Sequence, residues 1–321
     1  MSKWFTVIGI ALTALSQLGC GSEGVEKRFI SIGSAPPGGA FFVVGGAIAE
    51  VLSNSGHPWD ATAEATKGTL ESIRRLDRSE LELGLANASI TYFAVRGEGG
   101  WDRPYPMRSL VTLAHNALLF VTPRTSGIDR IQDLAGKRVV VGVAGAGWEF
   151  FIRPILAAHG LTYDDFTPLH NTQAGAVDML ADGSADAAFL GGAVPTASIV
   201  QASTSQDVVL IPFDPEARAA LSEQYPFYFD VSIPAGTYRG QDETFAGLNC
   251  GSMHVIAAES MDEELAYDIT RAIYENGEQI AQKHPAGRFI RADNVTIDTG
   301  TPFHPGAIRY YRELGIWPHE D

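Results

Sequence analysis

The sequence predicts an α/β fold in two lobes, each a mostly parallel sheet flanked by helices. Three observations carry that prediction. Short apolar strands alternate with helices through most of the 321 residues, the pattern of sheets whose neighbouring strands are joined by helical crossovers. A Gly-rich turn stands between a strand and a helix start twice, in "FISIGSAPPGGAFFVVGGAIAEVL" (29–52) and in "RVVVGVAGAGWEFFIRPILAAHG" (138–160). The last part of the chain returns with a strand and two helices, closing the lobe that the first part opens. The reading places one lobe at 28–118 plus 235–321 and the other at 119–234, with a ligand cleft between them. The chain carries no low-complexity run or long Gly/Ser linker, so short crossovers should join the lobes.

In the first half, 29–33 reads as a strand and 40–53 as a helix that is apolar nearly all round and therefore deeply buried. Residues 59–66 form a second strand, 68–77 a helix and 81–87 a third strand. In the second half, 118–123 is a strand, 131–136 a short helical turn and 137–143 the strand before the second turn. A helix over 148–159, another over 174–183 and a strand at 186–192 follow. The segments "SIRRLDRSELELGLANAS" and "AVDMLADGSADAAFLGGA" share one layout: helix, small polar break, then an apolar strand ending in small or polar residues. The two halves follow one plan. Beyond about 234, residues 253–258 read as a strand, 262–283 as one long helix and 304–317 as an amphipathic closing helix.

The first segment, "MSKWFTVIGIALTALSQLGC", has Lys3 as its one charge, then an apolar run, then a small residue before Cys20. It reads as a signal peptide over 1–19, too short and too abruptly ended for a transmembrane span. The residues before Cys20 are similar to a bacterial lipoprotein cleavage site, with Gln17 where an aliphatic residue is usual. The mature chain is thus expected outside the cytoplasm, in the periplasm, lipid-anchored through Cys20 and in contact with the membrane only there. Cys250 is then the one thiol left, in the apolar run "GLNCGSMHVIAA", and reads as a small buried hydrophobe. The formal net charge is −15, and losing the leader with its Lys3 makes it one unit more negative. Such a surface argues against nucleic acid and anionic lipid as partners. A small anion is still admissible, because donors in a cleft outweigh a distant, salt-screened surface charge.

The two turns explain how such a chain would hold an anion. In open parallel sheets ligands bind at the carboxyl ends of strands. There the first N–H groups of the next helix have no helical partner and the helix dipole favours negative charge. Pro36 and Pro37 stiffen the first turn; Gly38 and Gly39 bare the backbone, as Gly145, Ala146 and Gly147 do in the second. Each helix end contributes roughly 0.3–2 kcal/mol to an anion, and each hydrogen bond to a charged group roughly 1.5–3 kcal/mol. Two ends and three or four such bonds give roughly 5–16 kcal/mol before ordering and closure costs, against about 8 kcal/mol for micromolar capture.

Gly39, Ala40 and Phe41 are therefore the first candidate contacts, as backbone donors with an aromatic wall, and Gly147 and Trp148 are their counterparts. Trp148 could equally pack under the turn. Asn87, just past the strand "LELGLA", sits where an amide could donate to a carboxylate or cap a turn. Gly191 ends the matching strand of the other half, and Lys67 is the basic residue in a strand-to-helix turn. Arg74 and Arg75 read as solvated. No metal-ligand spacing, nucleotide-binding glycine pattern or nucleophile elbow occurs, so no cofactor, metal or enzymatic activity is expected.

Several long segments resemble the solute-binding proteins of TRAP transporters of the TAXI family: "GSAPPGGAFF", "ATAEATKGTLESIRRLDRSELELGLANAS", "IQDLAGKRVVVGVAGAG", "AAHGLTYDDF", "AGAVDMLADGSADAAFLGGAVPTASI", "DVSIPAGTYRGQDE" and "HPGAIRYYRELGI". The resemblance implies a two-lobed periplasmic-binding-protein fold, type II-like. It also implies a monomer that closes on a small organic anion such as glutamate or a dicarboxylate and passes it to an ion-coupled TRAP permease. A sensory role would use the same closure. Relative to that family's pattern, Phe41 replaces a Tyr, Ala146 and Trp148 replace two hydroxyl residues, and Lys67 replaces a Gly. These changes point to an anion with a bulkier or more apolar body than glutamate.

Overall fold

The computed structural model describes residues 27–37 and 40–318. The leader, Cys20 and Gly39 lie outside the described residues. Strand β1 (Arg28–Gly33) leads through the first turn into helix α1 (Ala40–Ser53), followed by β2 (Trp59–Glu64), α2 (Thr69–Asp77), β3 (Leu83–Asn87), α3 (Ala88–Arg96) and β4 (Met107–Thr112). The chain then crosses over. It builds β5 (Ala117–Pro123), β6 (Arg138–Val140), α4 (Glu149–Ala158), β7 (Thr167–Leu169), α5 (Gln173–Ala181), β8 (Ala187–Gly192), α6 (Ala197–Ser205), β9 (Val208–Leu210), α7 (Pro215–Gln224), β10 (Tyr228–Ile233) and β11 (Phe245–Cys250). It crosses back into β12 (Met253–Ala258), α8 (Glu263–Glu275), α9 (Gly277–Lys283) and α10 (Pro305–Glu313).

Two sheets result. The first has the order β2-β1-β3-β12-β4, the second β10-β11-β5-β8-β6-β7 with β9 added beside β5. Each is mixed rather than mostly parallel. β1 runs parallel to β2 and β3, and β6 to β7 and β8, whereas β12 is antiparallel to both neighbours and β5 is antiparallel to β8, β9 and β11. The physical reason is the double crossover. β1, β2 and β3, like β6, β7 and β8, are joined by helices and run in the same direction, while β12 and β5, entering from the other lobe, come in against them.

The crossovers fall at 113–116 and 251–252, not at 118 and 234 as the sequence suggested. The segment 235–250, read as part of the first lobe, joins the second sheet through β11, which pairs with β10 over its whole length. The two crossings are bonded to each other, Leu113 N–H to Met253 O at 2.7 Å and Cys250 N–H to Asn116 O at 2.9 Å. The single long helix expected over 262–283 is two helices, α8 and α9, broken at Asn276. Gly277 at the break lies against Ile290, a contact that the local pattern does not reveal. Helix α3 and strand β4 were not read from the sequence at all.

Burial follows the strand alternation. Leu83 and Leu85 of β3 face one apolar cluster together with Val255, α1, α8 and α10, whereas Ala86 and Ile256 face the other side. That other side does not stop at the lobe boundary. Its cluster runs from α2 and α3 straight into the interior of the second lobe.

Candidate functional site

The carboxyl ends of the parallel strands in each sheet each feed a helix: β1, β2 and β3 feed α1, α2 and α3, and β6, β7 and β8 feed α4, α5 and α6. In the first lobe these ends are fastened by hydroxyls. Ser34 Oγ donates to Glu64 O at 2.8 Å, Thr66 Oγ1 donates to Ser34 O at 3.0 Å, and Thr66 Oγ1 accepts the Gly68 N–H at 3.1 Å and meets Ser72 Oγ at 3.1 Å. Ala40 and Phe41 open α1 half-buried against the core beside it.

The second turn lies against the helix starts of the first lobe. Gly147 has φ +86°, in the left-handed region. A Cβ built there would stand 2.2 Å from Leu70 Cδ1 and 2.8 Å from Ile90 Cδ1, that is, inside the first turns of α2 and α3. Among the described residues no acceptor engages the N–H of Gly147 or Trp148, while Val143 to Gly145 on the outer side of the turn are exposed. The turn thus brings unengaged donors to the seam between the lobes.

Other expected residues are placed differently. Asn87 is buried and its side chain is fully committed. Oδ1 accepts Ser89 N–H at 2.9 Å and Ser89 Oγ–H at 2.6 Å, and Nδ2 donates to Gly251 O at 2.9 Å. It caps α3 and fastens the crossover instead of presenting an amide to a ligand. Gly191 is also fully engaged. Its N–H donates to Gln173 Oε1 at 3.0 Å, and its carbonyl accepts from Gln173 Nε2 at 2.9 Å. A Cβ there would sit 2.4 Å from Ala117 O, so its glycine serves close strand packing. The Trp148 indole packs under the turn, over Gly142 and beside Phe151 and Phe189, at ring distances of 5.7 and 6.2 Å. Lys67 is exposed, its N–H held by Glu71 Oε2 at 2.9 Å, and its ammonium forms no ion pair among the described residues. Arg75 pairs with Glu64 at 2.6 Å and Arg74 lies over the Trp101 ring.

Sequence reasoning missed Leu70, Ile90, Ala193 and Gln173. Ala193, in the loop after β8, packs against the apolar cluster of the first lobe. All four acquire their places through contacts distant in sequence. Burial pushes the Cys250 thiol well above the ordinary cysteine range and holds His254 down to about 3, so neither is poised for chemistry. No group of three or more metal-ligating side chains occurs among the described residues, and none of their helices is long and apolar enough to cross a membrane.

Comparisons with known proteins fit this architecture. The model of the NMT1-like family matches residues 32–315, and the chain belongs to that family. Among solved structures it is similar to the periplasmic aliphatic sulphonate binding protein SsuA from Escherichia coli, with a TM-score of 0.51 and 15% identity over 89% of this chain and 79% of that one. A binding protein component of an ABC phosphonate transporter from Pseudomonas aeruginosa gives 0.55 and 10%, over 81% and 79%. A structure from Bordetella bronchiseptica RB50 gives 0.52 and 16%, over 92% and 91%. At these identities the likeness is one of fold: the chain has the two-lobed, type II-like architecture of periplasmic binding proteins.

Proposed function

We propose that this protein is an extracytoplasmic solute-binding protein, without enzymatic activity, that closes its two lobes on a small organic anion and delivers it to a membrane permease. The observation that carries this reading is the placing of Gly147, with its unengaged N–H and that of Trp148, against Leu70 and Ile90 at the helix starts of the other lobe. Donors at a helix start suit an anion, and a site shared by two lobes couples its occupancy to their closure. Export and anchoring through Cys20 belong to the same reading, as does the division into lobes at the two crossovers.

The chemical class is a carboxylate with a body at least as apolar as that of glutamate. Leu70 brings hydrocarbon to this region, Phe41 opens α1 in the same lobe, and Lys67, in the turn before α2, forms no ion pair among the described residues. The permease we assign is of the TRAP, TAXI-type class, on the strength of the long sequence segments quoted above. Of the similar proteins, one is named for aliphatic sulphonate and another is a component of an ABC phosphonate transporter, so the test includes those oxyanions.

Thermal melting in the presence of L-glutamate, succinate, phenylacetate, ethanesulfonate or methylphosphonate checks the ligand class. Stabilisation by phenylacetate above the others is the expected result, and stabilisation by the sulfonate or phosphonate alone would reject the carboxylate. Solution scattering with the stabilising compound should show a smaller radius of gyration than without it. Uptake in cells that survives ATP depletion but collapses with the ion gradient would distinguish the assigned permease from an ABC system.

A further inference from the structure

The loop that leaves β8 is held at both of its ends by side chains from elsewhere in the second lobe. At its start, the half-buried Gln173 forms a two-bond clasp with Gly191, as described, and its Oε1 also accepts the Ser198 hydroxyl at 2.6 Å. One carboxamide thus fastens the start of α5, the end of β8 and the first turn of α6. At its other end, the Tyr238 hydroxyl accepts the Thr196 N–H at 3.0 Å. Tyr238 is buried, and its own segment between β10 and β11 is organised by Gln241, whose Nε2 donates to Ile233 O at 3.2 Å and Glu243 O at 2.8 Å.

Between the two fastenings the chain reaches the seam. Ala193 packs on the apolar cluster of the first lobe and Val194 on the cluster that spans both. Both are half-buried, and among the described residues no acceptor engages either N–H. Backbone donors that the protein leaves without an acceptor bond instead to water or to a ligand.

We propose that Gln173 and Tyr238 are positioning residues of the ligand cleft: they lock 191–196 so that the N–H groups of Ala193 and Val194 stand ready for the bound anion. This rests on the solute-binding reading above and moves the contact expected at Gly191 to the two residues beyond its neighbour. Fixing donors before binding avoids the ordering cost that a free loop would impose when the ligand arrives.

The test uses Tyr238→Phe, which removes only the hydroxyl, and Gln173→Glu, which sets an oxygen against the Gly191 carbonyl. The probe is whichever compound of the five-member panel raises the wild-type melting temperature most. Its affinity should fall about fivefold in the first variant and about tenfold or more in the second, as expected for losing one neutral hydrogen bond and for leaving a carbonyl unpaired. Thr122→Ala is the control for stability alone. It removes the buried Thr122 hydroxyl with its bonds to Asp186 O at 2.7 Å, at the opposite end of β8, and to Ser126 Oγ at 2.8 Å, and its affinity should match wild type at a comparable loss of melting temperature. Hydrogen exchange should show Ala193 and Val194 amides protected by the probe in wild type and less so in Tyr238→Phe. Unchanged affinity in both variants, or losses no greater than in the control, would overturn the positioning role while leaving the binding reading intact. Protection at 143–148 without protection at 193–194 would do the same. If no panel member alters melting or exchange, the binding reading and this inference fall together.

Discussion

Asn87 donates its side-chain amide to the carbonyl of Gly251 at 2.9 Å, so the last residue of β3 in the first lobe is bonded directly to the crossover that leaves the second. The same side chain caps α3 through Ser89. Removing it takes away a cap worth about 0.5–2 kcal/mol and strands a buried carbonyl at about 1–3 kcal/mol. Asn87→Ala should therefore lower unfolding stability by about 2–4 kcal/mol in urea titrations. Asn87→Ser should recover only the capping part. Equal stability of all three proteins would contradict the double role.

At the seam, Gly147→Ala should separate the lobes. The added methyl would meet Leu70 at 2.2 Å, and a non-glycine residue in the left-handed region costs about 1–2 kcal/mol. Scattering should report a larger radius of gyration, and the stabilising anion should bind more weakly. Adding Leu70→Ala should restore the radius but not the backbone term. A variant as compact as wild type would show that the turn does not bear on lobe spacing.

The aromatic seam gives a second handle on closure. Phe93 of α3 stands 5.8 Å from Phe150, 5.8 Å from Tyr225 and 6.0 Å from Phe227, ring to ring, all three in the second lobe. Phe93→Ala should cost about 3–5 kcal/mol and broaden the unfolding transition, because the continuous core is cut between the lobes. Phe93→Leu should cost less than half as much. A sharp transition with unchanged midpoint in Phe93→Ala would place the cohesion of the lobes elsewhere.

Acid should weaken the fold through His254. The ring is fully buried beside Thr91 Oγ1 at 2.9 Å, and desolvation holds it down to about 3 from an ordinary 6.5. Between those values the unfolded chain binds a proton that the folded protein refuses. Stability thus falls as pH drops from about 6.5 towards about 3, by at most about 1.4 kcal/mol per unit, and this contribution is flat above that window. Urea midpoints of wild type and His254→Gln measured across that range should converge as the pH falls. Parallel curves would exclude His254 as the source.

Cys250 should be inert while the protein is folded. Its thiol is fully buried and burial disfavours the thiolate. In a Cys20→Ser background, iodoacetamide should label Cys250 only after unfolding by urea. Labelling of the native protein at the rate of a free thiol would refute this burial.

The plan of the fold was legible in local pattern. The spans of α1 and β12 were read to the residue, because each is a strongly apolar run bounded by clear breaks. The double strand–turn–helix motif was legible for the same reason. The antiparallel direction of β5 and β12 and the crossover positions were not, since β11 and β12 adjoin in one apolar run and differ in the lobe whose sheet receives them. The site was legible only in part. Gly147 was found because a turn announces itself, whereas Asn87 and Gly191 looked free until Gly251 and Gln173 arrived from elsewhere in the chain.

The sequence by itself determined that this is a two-lobed α/β chain with a strand–turn–helix passage in each half, because periodicity and glycine placement act within a few residues. Tertiary structure alone decided which donors stay unengaged: a polar group's availability depends on every group that packs beside it, and those partners lie 18 positions away for Gly191 and 164 for Asn87.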